Sequence, residues 1–261
     1  MPDNFYGGLD FGTSGARISI INLNKKLVYS NSVPYLYSFK NPNSWINSCG
    51  NLLNSLPIKL KMNLNKLAIS GTSGTLIASN LKGEPIGEAI PYDQACIEHK
   101  ILLESLTSGE DHLRTPYSSL AKALKLIDKY GTNILLRHQS DWITGWFLKD
   151  WTYGEEGNNL KLGWDLKKES WPKSYLNTSW QKCLPQIIKS GKIIGQVNSN
   201  LAERFKLNKK LILISGTTDS NASLIAASLG KEDGLTVLGT TIVVKKIIDK
   251  PVKEQGITTH R

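Results

Sequence analysis

The chain has 261 residues, which is enough for one large domain or two modest ones. Hydrophobic residues make up 40% of it and charged residues 21%, a composition typical of globular proteins, and no apolar run is long enough to span a membrane. Three widely separated cysteines exclude a disulfide framework and zinc-ligand spacing. The first residues carry no signal pattern, so we expect a cytoplasmic protein without a membrane partner.

The net charge of +10 raises the question of nucleic-acid binding. Only five of the 32 basic residues are arginines, and the lysines are scattered in twos and threes without one dense stripe. We therefore expect no nucleic-acid partner, and interpret the lysines as a solvated surface.

Short apolar segments separated by turn residues predict strands in the first part of the chain. They cover residues 6–11, 16–23, 26–33, 66–70, 74–78 and 86–90. Helical periodicity follows over residues 119–130, which Gly131 ends, and over residues 138–150, whose tryptophans we assign to the core.

The rest of the chain alternates the two patterns again. Residues 151–177 predict a long structured insert able to carry substrate contacts. Residues 211–215 predict a strand, and residues 222–229 a tightly packed helix of small residues that Gly230 stops. Two strands, 235–238 and 242–248, complete the pattern.

The segment from Asp10 to Arg17 predicts two strands joined by a tight turn at Gly12, Thr13 and Ser14. The turn's N–H groups and the two hydroxyls can face phosphate oxygens. Asp10 can hold Mg²⁺ through water, and Arg17 can neutralise charge on a transferring group. An ordinary hairpin turn is the alternative interpretation.

A weak repeat of this layout occurs near the end, where residues 238–241 correspond to residues 11–14. Its Gly239, Thr240 and Thr241 would form a second phosphate turn facing the first. Asp219 lies between the two copies, at the first turn of a predicted helix whose N-terminus favours the ionised carboxylate. We interpret Asp219 as the base for an acceptor hydroxyl, with a helix N-cap as the alternative.

Residues 10–15, 216–222 and 238–241 together resemble the FGGY carbohydrate kinases, which belong to the superfamily of sugar kinases, actin and heat-shock chaperones. The resemblance implies an α/β fold with a cleft between two ribonuclease-H-like domains, here residues 1–213 and an incomplete second domain at residues 214–261. It matches Asp219 to the catalytic base, Asp10 to the metal-linked acid, and Thr13 and Thr240 to phosphate-binding hydroxyls. ATP and Mg²⁺ are the cofactors it implies.

On the sugar side, Tyr92 and Asp93 fall where many family members contact the sugar. Asp93 is a candidate acceptor for a sugar hydroxyl and Tyr92 a packing wall, with a surface turn as the alternative. Residues 71–75, with Ser73 as a substrate contact, resemble the xylulokinase-like kinases of cyanobacteria and plants that prefer D-ribulose.

These resemblances lead us to expect ATP-dependent phosphorylation of a ketopentose, D-ribulose or D-xylulose, at its terminal hydroxyl. Only about twenty residues follow the second phosphate turn, where family members continue much further, so we expect a C-terminally truncated kinase. A catalytically dead sugar- or nucleotide-binding module is the alternative, and a chaperone-like ATPase is less favoured. The sequence sets no expectation for the oligomeric state.

Overall fold

The computed structural model describes residues 4–107, 111–238 and 242–250, together with residues 252, 257 and 259. Its strands are β1 (Phe5–Phe11), β2 (Gly15–Asn22), β3 (Leu27–Pro34), β4 (Leu64–Gly71), β5 (Leu76–Ser79), β6 (Leu135–His138), β7 (Tyr153–Glu155), β8 (Gln186–Ile188), β9 (Ile193–Gln196), β10 (Ile212–Thr218), β11 (Gly234–Leu238) and β12 (Ile242–Lys246). Its α-helices are α1 (Pro42–Ser55), α2 (Ile58–Met62), α3 (Lys100–Leu106), α4 (Ser119–Tyr130), α5 (Gln139–Leu148), α6 (Glu156–Asn159), α7 (Ser199–Phe205) and α8 (Asp219–Ala226). Short 3₁₀ helices cover Asp111–Leu113, Leu160–Leu162, Lys173–Tyr175 and Gln181–Cys183. No helix within the described ranges is long and apolar enough to cross a membrane.

A six-stranded sheet in the order β3-β2-β1-β4-β10-β9 organises the molecule. The first three strands form an antiparallel meander, whereas β1, β4 and β10 run parallel to one another. The register places Asp10 and Thr217 on either side of Ser70. Since parallel strands end at the same edge of a sheet, this edge collects the residues that follow β1, β4 and β10.

Two helices cover the sheet and share one apolar core. Helix α1 packs on β2 and β3, and α5 packs on β4 and β10. Trp45 of α1 and Trp142 of α5 meet edge to face, with ring centroids 5.9 Å apart. Trp142 and Trp146 are buried in this core, so the assignment of these tryptophans to packing is confirmed.

The chain after β10 differs from the prediction. Helix α8 starts at Asp219 and ends at Ala226 rather than covering residues 222–229, and it is not tightly packed, since Ile225 is 72% exposed. In the described part of the chain, strands β11 and β12 pair only with each other, and they leave Ile242 and Val244 exposed. The prediction of a packed helix was wrong because small residues favour close packing only where another element lies opposite them.

Two further boundaries differ. In residues 86–90 only Ile90 forms an isolated bridge, with Leu76, and the segment is not a strand. Strand β5 starts at Leu76 because Gly74 has a positive φ of 88°. The predicted domain boundary at 213/214 lies within β10, which pairs with β4 as far as Thr218, and the division into domains stays a prediction.

Gly216 provides a test of this sheet. A Cβ atom at Gly216 would lie 1.9 Å from the carbonyl oxygen of Ile69 in β4, so Gly216→Ala forces the backbones of two neighbouring strands apart. We expect the free energy of unfolding in urea to fall by at least about 2 kcal/mol. Gly8→Ala in β1 is the matched control, because no atom lies within 4 Å of its added Cβ. Equal stability of the two variants would contradict the β4–β10 register.

Candidate active site

Two carboxylates lie at the edge where the parallel strands end. Asp10 precedes the end of β1, and its Oδ1 accepts a hydrogen bond of 2.8 Å from Ser70 Oγ. Asp219 is the first residue of α8, while the N-cap position belongs to Thr218, whose hydroxyl accepts from Asn221 N–H. The alternative interpretation of Asp219 as the N-cap is therefore wrong. Its carboxylate instead accepts from the backbone N–H of Ser220, and the backbone N–H of Ser73 lies close enough to lower its pKa.

The surroundings of Asp219 raise its pKa above the ordinary value. Burial is the main cause, and the negative charge of Asp10 adds to it. The N–H groups of Ser220 and Ser73 and the positive charge of Lys161 oppose the shift without overcoming it. As expected, the N–H of Ser220 at the start of the helix lowers the pKa of Asp219, but the increase caused by desolvation is larger. An acid with a raised pKa next to a second acid is characteristic of general-base sites.

The turn after β1 presents Thr13 and Ser14 to solvent, and both are exposed. Gly12 differs from the prediction, because its N–H donates to the carbonyl of Gly15 and is not free for a phosphate. Tyr35 fixes the turn from the other side: its N–H donates to Ser14 O, and its hydroxyl donates to Gly12 O at 2.8 Å. Sequence reasoning missed Tyr35, since no local motif links it to the turn.

Arg17 lies directly opposite Asp10 in the β1–β2 ladder. Residues directly opposite each other in an antiparallel pair have side chains on the same face, so Arg17 and Asp10 share one face of the sheet. The predicted second phosphate turn at Gly239, Thr240 and Thr241 lies outside the described residues. Next to it, Lys245 Nζ donates to Asn221 Oδ1 at 2.8 Å, which places a cation near the start of α8.

The predicted sugar-side segments are held together by a buried lysine. Lys122 is fully buried, and its Nζ donates to the carbonyls of Gly74 (2.8 Å), Tyr92 (3.1 Å) and Tyr117 (3.0 Å). Burial, together with repulsion from Lys161, lowers its pKa to about 8, whereas Asp93 opposes the shift. The segments carrying Ser73 and Tyr92 are therefore neighbours, as a shared sugar site requires.

Lys161 lies between the Ser73 segment and Asp219. It lies in the 3₁₀ helix Leu160–Leu162 of the predicted insert, and its Nζ donates to the carbonyl of Ser73 at 3.3 Å. Burial lowers its pKa, and the charge of Asp219 opposes the shift. Sequence reasoning assigned substrate contacts to the insert but did not single out Lys161, because its role depends on a contact with a residue 88 positions away.

The junction of β6 and α5 contacts the segment that follows β4, which carries Thr72 and Ser73. Gln139 Oε1 accepts from both N–H and Oγ1 of Thr72, at 2.9 Å each. A Cβ at Gly71 would lie 2.9 Å from that oxygen, so the glycine permits the close approach. No sequence motif singles out Gln139, which the α5 pattern places in an ordinary first turn.

The donor set fits a hydrated magnesium ion better than a directly ligated metal. No group of three or more histidine, cysteine or acidic side chains in the described part of the chain could hold a metal. Asp10 and Asp219 repel each other across the edge, and a cation there would relieve that repulsion. Mg²⁺ keeps most of its water and needs only one or two carboxylates.

Known proteins share this architecture. The xylulose kinase of Lactococcus lactis subsp. lactis is 24% identical over 276 residues, covering 95% of this chain and 54% of that protein. A ligand-bound xylulose kinase from Lactobacillus acidophilus superposes with a TM-score of 0.82 at 17% identity, covering 97% of this chain and 56% of that one. The structure of Plasmodium falciparum glycerol kinase with ADP superposes with a TM-score of 0.75 at 18% sequence identity, covering 93% of this chain and 54% of that one. No protein-family model matches the chain.

The chain has the fold of a carbohydrate kinase. The ribonuclease-H-like α/β fold and the resemblance to sugar kinases expected from the sequence are thereby confirmed. The match to the Lactococcus lactis xylulose kinase covers most of this chain, but the chain spans only about half the length of that relative. The roles of the individual site residues remain predictions.

The buried side chain of Glu155 makes the free energy of unfolding depend on pH. Glu155 is the N-cap of α6 and accepts from the N–H groups of Gly157 and Asn158 at 2.8 Å each. Burial, with a contribution from the charge of Asp141, nevertheless raises the pKa of Glu155 from 4.5 to about 7. The folded state therefore disfavours the ionised form that the unfolded chain adopts above pH 4.5.

This shift predicts that the contribution of Glu155 to stability is largest below pH 4.5 and is lost as the pH rises to 7. The full loss is about 3 kcal/mol, at 1.36 kcal/mol per pKa unit. His138, buried with a lowered pKa, changes stability in the opposite direction below pH 6.5. The test is therefore the difference in pH dependence of urea unfolding between wild type and Glu155→Gln, with exposed Glu203→Gln as control. An identical pH slope in Glu155→Gln and wild type would contradict the assignment.

Proposed function

We propose that this chain is part of an ATP-dependent ketopentose kinase that acts on D-ribulose or D-xylulose at the terminal hydroxyl. It provides the sugar-binding residues and the catalytic carboxylate Asp219. The observation that carries the proposal is the placement of Asp219, which lies near Ser73 N–H and Asp10 at the carboxyl edge of three parallel strands. The similarity to xylulose kinases over most of the chain supports the substrate class.

In this proposal Asp219 acts as the general base. The backbone N–H of Ser220 holds its carboxylate, and its raised pKa brings its proton affinity closer to that needed for accepting a proton near neutral pH. The sugar hydroxyl gives its proton to Asp219 as its oxygen forms a bond to the γ-phosphorus of ATP. The bond between that phosphorus and the β,γ-bridging oxygen breaks, and ADP leaves.

The remaining predicted residues orient and neutralise the reactants. Ser73, Tyr92 and Asp93 would contact the sugar, since Lys122 keeps their segments together. Lys161, beside Ser73 and Asp219, adds a positive charge on the sugar side that the sequence did not reveal.

On the phosphate side, Thr13, Ser14 and Arg17 would contact ATP, and Gly239, Thr240 and Thr241 stay predicted contacts. Asp10 would hold Mg²⁺ through water, and the ion when bound would neutralise phosphate charge.

A sugar- or nucleotide-binding module without turnover is the second candidate. The chain matches only 54% of the length of its xylulose kinase relative, and α8 and the β11–β12 hairpin have large exposed apolar side chains. A site that holds sugar and one side of the nucleotide can bind without completing transfer.

Asp219→Asn separates these possibilities. Asparagine preserves an acceptor for the Ser73 and Ser220 N–H groups but cannot take a proton. We expect ADP release with D-ribulose or D-xylulose to fall by about 10²- to 10⁴-fold, without loss of thermal stability, because a buried charge beside Asp10 is removed. Exposed Asp128→Asn is the control.

Each outcome is distinct. Full turnover by Asp219→Asn would rule out Asp219 as the base. Thermal stabilisation of the wild type by pentulose or ATP, with no phosphorylated product, would establish the binding module instead.

A further inference from the structure

We propose a second ligand site in this chain: a cationic cavity that binds an organic phosphate. The cavity, named here the basic cavity, has a volume of about 550 Å³ and is lined by residues that include Lys82, Arg137, Lys149, Trp151 and Lys182. Its volume is in the range of small-molecule sites. It shares no lining residue with the candidate active site.

Arg137 is the most buried cation lining the basic cavity, with only 2% of its surface exposed. Its Nε donates to the carbonyl of Trp151, and its Nη1 donates to the carbonyls of Leu136 (2.7 Å) and Cys183 (2.9 Å). Its Nη2 has no hydrogen-bond partner among the described residues, and no carboxylate there forms an ion pair with it. Two N–H donors of a buried cation are therefore left for a ligand.

A buried guanidinium without a counter-ion is energetically costly. Burial lowers the pKa of Arg137 to about 10, and the charges of Asp141 and Asp150 oppose this without overcoming it. An oxyanion bound at Nη2 would supply the missing negative charge through charge-assisted hydrogen bonds. A purely structural role for Arg137 accounts for Nε and Nη1, but not for Nη2.

The entrance of the basic cavity is also positive. Lys82, Lys149 and Lys182 are exposed, and none forms an ion pair within the described part of the chain. Asp150 is the single acidic residue in the lining, and its Oδ1 is already hydrogen-bonded to the N–H and hydroxyl of Thr152. Four cations against one engaged acid create a local field that attracts anions.

The remaining lining indicates more than inorganic phosphate. Trp151, Leu184 and Leu135 form an apolar wall, and Lys149 Nζ lies 5.9 Å from the ring centroid of Trp151. The volume exceeds what a single phosphate fills, which favours a phosphate attached to a group the size of a sugar.

Isothermal titration of the 261-residue chain with ribose 5-phosphate tests the site. Because Arg137 also holds three backbone carbonyls, the test variant is Lys82→Gln/Lys182→Gln, which changes only exposed side chains. The matched control is Lys209→Gln/Lys210→Gln, two exposed lysines outside the basic cavity. We expect binding to wild type and control, and at least about tenfold weaker binding to the test variant.

Four outcomes would overturn the proposal. Equal affinity of wild type and test variant would place ribose 5-phosphate elsewhere, as would loss of binding in Asp219→Asn with retention in the test variant. Equal affinity for ribose would exclude the phosphate as the recognised group. Equal affinity for inorganic phosphate would overturn the assignment to an organic phosphate. None of these results depends on kinase turnover, so they are independent of the test of the proposed function.

Discussion

Parallel pairing of β1, β4 and β10 is the constraint on which the site depends. Backbone hydrogen bonding fixes Asp10 opposite Ser70, and Thr217 on the other side of Ser70. The chain segments that leave these strands then start from one edge, which brings Ser73 N–H to the carboxylate of Asp219 across 146 residues of sequence. Gly216 permits this pairing, because any side chain there would collide with the carbonyl of Ile69.

Buried cations that bond to backbone carbonyls organise the loops around this edge. Lys122 joins three segments through the carbonyls of Gly74, Tyr92 and Tyr117, and Arg137 joins β6 to the segments at Trp151 and Cys183. Carbonyl partners leave the positive charges uncompensated, unlike carboxylates. This explains why burial lowers the pKa values of both side chains.

The region after β10 has a different character. Helix α8 and the β11–β12 hairpin extend from the central sheet with exposed apolar side chains, including Ile225 and Val244. Lys245 nonetheless returns to Asn221 beside the candidate base. The chain covers 54% of the length of the xylulose kinase from Lactococcus lactis that it resembles.

The sequence by itself predicted part of the fold and singled out two acids. Apolar alternation located β1 to β4 and β10 of the central sheet but not its edge strand β9, and helical spacing located α4 and α5 but not α1. The order of Asp10, Asp219 and the glycine turns indicated a sugar kinase. These features are local, because a strand, a cap or a turn depends on neighbours a few residues away.

Only the tertiary structure decided which distant residues meet. Lys161, Tyr35 and Gln139 carry no local signal, and they reach Ser73, Gly12 and Thr72 only after the chain has folded. The degree of burial was also decided by the tertiary structure. Burial raises the pKa of Asp219, whereas the small-residue helix α8 is left exposed. Desolvation depends on what the whole chain places around a group, and a sequence pattern does not contain that information.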